Sequence, residues 1–329
     1  EDTFSFKIKD ARSRLIFELK PATNQLGEVE VKDVRQNDFS MSRLRAIEGT
    51  AIYAGKKSEV IKLNKVEGNL AANTARQVYA KVPGLNVWES DGAGIQLGIG
   101  ARGLSPNRTS HFNVRQNGYD ISADALGYPE SYYTPPAEAL HSIQVVRGAA
   151  SLQYGTQFGG MLNFKFKEGA KNTPLRVTVR KTGGSFKFFN TFTSIDGSHK
   201  KLRYYAFYQY KRGDGWRPNS GFDVHTAYGG LQYSISEKTS LKLEYTHMHY
   251  LAQQPGGLTD ALFADDPRQS IRERNWFKVD WNVLALVFDH KFNAKTSLNS
   301  RTFGVMSGRS ALGVLERINV IDFGEERDL

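Results

Sequence analysis

Three stretches of this chain carry residue types that could do chemistry. Gly98-Ile99-Gly100-Ala101-Arg102-Gly103 has the G-x-G-x-x-G spacing that brings backbone amides up to a dinucleotide pyrophosphate, and Asp120 stands near the distance expected of a ribose-binding acid. That chemistry also requires a helix opening at the last glycine. Leu104-Ser105-Pro106-Asn107 follows instead, which is a turn, so the glycines are read as serving tight strand ends. His247-Met248-His249 puts two imidazoles on one strand face. A zinc site takes three or four ligands, and no nearby cluster supplies the others, so the pair reads as interfacial or solvated. Asp265-Asp266 lies in a long polar connection and reads as solvated surface rather than a calcium site. Asn107-Arg108-Thr109 is a glycosylation sequon only in a secreted eukaryotic protein. No Ser/His/Asp set and no paired acids stand at supporting spacing, so no catalytic or metal-ligating residue is assigned and no enzyme is expected.

The elements that would position such residues fall into two regimes. Residues 139–169, ALHSIQVVRGAASLQYGTQFGGMLNFKFKEG, form the seam between them. The seam reads as a strand (142–146), an Arg147-Gly148 turn, a small-residue helical turn (149–154), a Gly-rich bend and a second strand (161–167). Before it, a basic stretch from Ser42 reads as helical and passes into short strands. Asn73 caps a helix over 73–82 that Pro83-Gly84 stops. Strands follow at 85–88, 95–99 and 111–115, and Asn117-Gly118 turns the chain sharply. From Leu175 onward the period is two and stays two: Leu175, Val177 and Val179 oppose Arg176, Thr178 and Arg180; Tyr205, Phe207, Gln209 and Lys211 oppose Tyr204, Ala206, Tyr208 and Tyr210. Tight turns alternate with long polar connections, and tyrosine is abundant. Strands of about ten residues, asymmetric rims and interfacial tyrosines are the pattern of an outer-membrane barrel; a soluble β-sandwich also alternates and stays open as the alternative.

Composition narrows the classes. Cysteine is absent, which excludes disulfides and thiolate chemistry. The net charge of +10 is spread along the chain without the clustered stripe of a nucleic-acid footprint, so no nucleic-acid partner is expected. No apolar run reaches the roughly 18 residues of a transmembrane helix, and Glu1-Asp2-Thr3 does not open a signal peptide.

Five segments in order then resemble the plug domain of TonB-dependent outer-membrane receptors: Leu26-Gly27-Glu28-Val29-Glu30-Val31, Val82-Pro83-Gly84-Leu85-Asn86-Val87, Ile99-Gly100-Ala101-Arg102-Gly103-Leu104, Phe112 to Tyr119, and Ile143 to Gly155 running on to Phe164. The resemblance implies an α+β plug domain followed by antiparallel transmembrane β-barrel strands, with the barrel incomplete. The expected domains are the end of a carboxypeptidase-regulatory-like β-sandwich at 1–20, as in Bacteroidetes-type receptors, a linker at 21–40, the plug at 41–170 and the first part of a barrel at 171–329. Plugged transporters have about 22 strands, whereas the residues after the plug suffice for about seven, so a fragment at both ends is expected.

By the same resemblance the function is TonB-dependent uptake of an iron chelate, ferric citrate or a similar siderophore, across the bacterial outer membrane; a carbohydrate or cobalamin importer is the alternative within the family. The chelate is substrate and no cofactor is implied. The partners are the TonB energy-transducing complex, the ferric chelate and outer-membrane lipid, with the receptor a monomer. Leu26, Gly27, Glu28, Val29, Glu30 and Val31 would pair with TonB as an added strand. Arg binds carboxylates bidentately, so Arg102, Asn107 and Arg108 in one plug loop, with Tyr128, Tyr132 and Tyr133 in the next, would contact the ligand. Arg147 would lock the plug to a carboxylate of the barrel wall, a role that stays open for Arg102 as the alternative to ligand contact.

Overall fold

The computed structural model describes residues 41–48, 51–79, 81–123, 131–148, 158–313 and 326–328, all within one compact unit, Gln36–Leu329. Residues 1–20, residues 26–31, the 149–154 helical turn and Tyr128 lie outside the described residues.

The first half builds a small mixed sheet. Its strands are β1 (Met41–Ser42), β2 (Ile47–Glu48), β3 (Ala51–Ile52), β4 (Lys57–Lys62), β5 (Leu85–Glu89), β6 (Leu97–Ala101), β7 (Phe112–Gln116), β8 (Tyr119–Asp120), β9 (Leu140–Arg147) and β10 (Gly160–Phe166), with one helix, α1 (Ala75–Tyr79). Six of them pair in the order β1-β4-β9-β10-β7-β8, while β2-β3 and β5-β6 form separate hairpins. The β7–β10 pair is parallel and its neighbours are antiparallel. Asn117 (φ 47) and Gly118 (φ 93) make the expected turn between β7 and β8, since both central residues of a type I′ turn need the left-handed region.

Two local expectations are corrected. The basic stretch after Ser42 is not helical; it enters the sheet edge as β1 against β4 and passes through bends into β2. Asn73 does not cap α1. It adopts φ 57, the amides of Gln77 and Val78 go to the Thr74 carbonyl, and its side chain ties distant loops, donating to Gly94 O at 2.9 Å and accepting from Ala137 N at 3.0 Å.

The second half is a curved wall of eight antiparallel strands in sequential order: β11 (Arg176–Gly183), β12 (Phe189–His199), β13 (Leu202–Gly213), β14 (Phe222–Ser236), β15 (Thr239–Gln253), β16 (Trp276–Lys291), β17 (Ser297–Leu312) and the short β18 (Glu326–Asp328). Strands reach 16 residues, ample to cross a bilayer at a tilt, which takes about 9–11. At one rim the connections are the short 200–201, 237–238 and 292–296; at the other they are 184–188, 214–221 and 254–275, the last holding α2 (Asp260–Asp265).

Alternation sorts the wall into two faces. Ile195, Leu231, Leu243, Tyr245, Leu284, Leu286 and Met306 point outward and are exposed. Phe192, Tyr205, Phe207, Tyr228, Met248, Tyr250 and Trp281 point inward and share one core with Ile99, Phe112, Ile143 and Phe164 of the small domain. The junction is aromatic: Phe166 stacks on Tyr228 with ring centroids 4.4 Å apart. Burying these rings contributes about 1.5–3 kcal/mol each, so the small domain is held inside the concave face chiefly by apolar burial. The chain passes between the two at Asp196, which accepts from Ala170 N at 2.9 Å and from Arg176 at 2.9 and 2.8 Å.

Candidate ligand pocket and plug–wall contacts

Arg102 follows β6 at φ 56. Residues 104–109 then fold back over the strand: the Thr109 hydroxyl donates to Leu97 O at 2.6 Å and accepts from Ile99 N at 3.1 Å. This close approach explains the glycine spacing, because a Cβ at Gly100 would collide with the Leu104 carbonyl. Gly98 and Gly100 are thus required by close packing, whereas Gly103 (φ 81) sits in open space at the turn that ends the strand. Asn107 and Arg108 stand exposed on the crest of the loop, and the Arg102 guanidinium lies over Gly148.

The next loop sorts its tyrosines by alternation. Tyr132 faces the wall: Arg309 of β17 hydrogen-bonds its hydroxyl and lies 5.1 Å over its ring, and Phe277 is 6.0 Å away. Tyr133 faces the core at 1% exposure. Its hydroxyl has no hydrogen-bond partner among the described residues, and burial pushes its pKa well up. A side chain so placed cannot touch a ligand, so the expectation for Tyr133 is corrected. Arg147 is corrected too. It forms an ion pair with Glu59 on β4 and donates to Pro83 O at 2.6 Å, closing the small domain on itself rather than onto the wall.

The contacts that do reach the wall come from elsewhere. Glu138, 3% exposed, accepts from Asn190 at 3.0 Å and faces Arg180 at 3.5 Å. Gln116 donates to Thr246 Oγ1 and Asn117 to Glu244 Oε1, both at 2.8 Å; Glu244 also accepts from Tyr228 at 2.8 Å and pairs with Lys242 at 2.5 Å. The legible signal was polar residues on inward strand positions otherwise filled by aromatics, Lys211 and Glu244 among them. Their partners, more than 110 residues away for Lys211 and for Glu244, carried no local signal.

One loop combines wall contact with a cavity. Residues 89–96 comprise the end of β5 and its connection to β6. Asp91 braces the loop by accepting from Ile95 N at 3.2 Å and Gln96 N at 3.1 Å. From the wall, Tyr250 donates to Asp91 at 3.0 Å, Gln96 donates to Tyr250 at 3.3 Å, and the buried Lys211 ammonium reaches the Ala93 carbonyl. Burial raises the Asp91 pKa, against the lowering pull of these hydrogen bonds. Beside the loop opens a cavity of about 710 Å³, walled by Glu89 to Gly92 and Gln96 on one side and by Trp216, Arg217, Phe222 and residues 253–257 on the other. Such a volume lies within the roughly 300–1,000 Å³ typical of ligand pockets, and it sits at the rim with the longer connections. None of Arg102, Asn107, Arg108, Tyr132 and Tyr133 lines it. Among the described residues no group of three or more His, Asp and Glu is placed to hold a metal; His247 bonds Asn282 and His249 pairs with Asp280.

With this geometry in hand, comparison with known proteins is informative. Residues 54–161 match the family described as TonB-dependent Receptor Plug Domain. The structure resembles the unliganded ferric citrate transporter FecA (22% identity, TM-score 0.69, covering 81% of this chain and 44% of that one). It also resembles the ferripyoverdine receptor of the outer membrane of Pseudomonas aeruginosa (14% identity, TM-score 0.63, 78% and 35% covered). The copper transporter OprC is similar at 13% identity and TM-score 0.60, with 78% and 38% covered. At these identities the likeness establishes the fold, and the chain spans less than half the length of these proteins.

Proposed function

We propose that this chain, whose residues 54–161 match the TonB-dependent Receptor Plug Domain family and whose fold resembles solved outer-membrane receptors, serves TonB-dependent active uptake of an iron chelate. The observation that carries this reading is the double role of residues 89–96, which wall the rim cavity and are also bonded to β13 and β15. A ligand entering from the outer face meets the same loop that latches plug to wall, so occupancy can be felt at the latch. Residues 26–31 then act as the segment that pairs with TonB by main-chain hydrogen bonds, and force applied there is delivered to the plug. Most of the plug–wall polar contacts among the described residues involve a charged partner, about 1.5–3 kcal/mol each, against about 0.5–1.5 for neutral pairs such as Gln116–Thr246, a scale that a transmitted pull can overcome stepwise.

Asn107 and Arg108, exposed beside β6, remain candidate ligand contacts; Tyr128 is retained as a candidate from its place in the sequence. The test is uptake by intact cells expressing the full-length receptor with residues 26–31 deleted. Radio-iron accumulation from a supplied chelate should fall to the level of a TonB-deficient strain while surface binding persists. Unchanged accumulation would refute the reading.

A further inference from the structure

Taking the cavity beside residues 89–96 as the ligand site, and so resting on the reading above, its lining defines what it can bind. Among the described residues the charged side chains lining it are Glu89, Asp91 and Arg217. Arg217 is occupied: its guanidinium donates to the carbonyls of Pro255, Gly256 and Gln269, stapling the wall loops together. Lys211 is fully buried and directed to Ala93 O. Arg268 is exposed and lies 6.0 Å over Trp216, outside the lining. An anionic chelate asks for Arg or Lys donors with hydrogen bonds to spare; among the described residues the lining offers none, and its carboxylates are already held, Glu89 by Arg76 and Asp91 by Ile95, Gln96 and Tyr250.

The rest of the lining is aromatic and amide. Trp216, half-exposed, offers a ring face, whereas Tyr250 is fully buried and serves the latch to Asp91; Gln96, Gln253 and Gln254 line the same space. Amides both donate and accept. The Gln254 side-chain amide and the Ser90 hydroxyl make no hydrogen bond among the described residues, whereas the Gln254 backbone is tied to Asn275 and Asn219, so both side chains are available to a guest. We infer that this cavity takes a neutral or cationic ligand rich in hydroxyl and amide groups, seated on Trp216, and that it disfavours polycarboxylate chelates such as ferric citrate.

The experiment uses the purified full-length receptor and titration calorimetry with four probes: ferrioxamine B (a cationic trihydroxamate), ferrichrome (neutral), ferric citrate (polyanionic) and maltoheptaose (neutral, iron-free). A hydroxamate should bind at least tenfold more tightly than ferric citrate. Trp216→Ala should weaken that binding tenfold or more, and Glu89→Gln should narrow the gap by improving ferric citrate about threefold. Both positions are at the surface or the cavity, so the fold is retained; Gln254→Ala serves as a second probe of the same wall. Tighter binding of ferric citrate, or indifference to both Trp216→Ala and Gln254→Ala, overturns the inference, as does failure of all four probes to bind. Trp216-dependent binding of maltoheptaose without any chelate would uphold the charge rule and refute the iron reading instead.

Discussion

At the residue scale, two side chains separate burial from binding. Tyr133 was a candidate contact by its place in a tyrosine-rich loop, yet its ring fills the plug core and its hydroxyl is unpaired among the described residues. Tyr133→Phe should therefore change stability by less than about 1 kcal/mol, since no hydrogen bond is lost, and Tyr133→Ala should cost about 3–5 kcal/mol through the cavity it leaves. Chemical denaturation of the two variants checks this; loss of ligand affinity in a fully folded Tyr133→Phe protein would reverse the assignment. Asp91 supplies a pH test. Its folded pKa lies above the ordinary 3.8, so the folded state binds its proton more tightly, and this contribution is complete below that value and is lost as pH rises through the folded pKa. Wild type should lose stability relative to Asp91→Asn as pH is raised from about 3.8 into the weakly acidic range. Parallel stability curves for the two proteins would sink the claim.

At the scale of elements, the short turn at residues 137–139 does more than connect. It carries Glu138 inward to meet Asn190 and Arg180 on two neighbouring strands, and Lys167 donates to its carbonyl at 2.6 Å. Removing the carboxylate leaves the buried Asn190 amide without this acceptor, a loss of about 1–3 kcal/mol. Thermal unfolding of a full-length Glu138→Ala receptor should show the plug released below the wild-type temperature, while Arg147→Ala, whose partners lie within the plug, should loosen the β4–β9 edge without weakening docking. Equal effects on docking from both would show that the internal pair and the plug–wall contact had been misassigned. That distinction was illegible in the sequence, where Arg147 was expected to lock the plug to the wall and Glu138 was not singled out.

At the scale of the whole molecule, the absence of cysteine makes the plug–wall seam easy to interrogate. Gln116 and Thr246 touch at 2.8 Å across it. Paired Gln116→Cys and Thr246→Cys substitutions should form a disulfide that blocks uptake without abolishing surface binding, with uptake restored by reductant; transport through the oxidised pair would mean that the plug need not part from β15.

The alternation of the wall, the asymmetry of its rims and the Asn117-Gly118 turn were determined by the sequence itself. Each depends on local physics: side-chain period or turn chemistry. Strands 276–291 and 297–312 run through polar stretches that alternation alone does not mark, because ladder hydrogen bonds continue through polar residues once a neighbour is in place. The pocket was decided only by tertiary structure. Asp91 and Gln96 meet Tyr250 across more than 150 residues of chain, and no periodicity links them. Their meeting follows from how the plug's apolar face beds into the curved wall, which sets loop against loop after both elements are already formed.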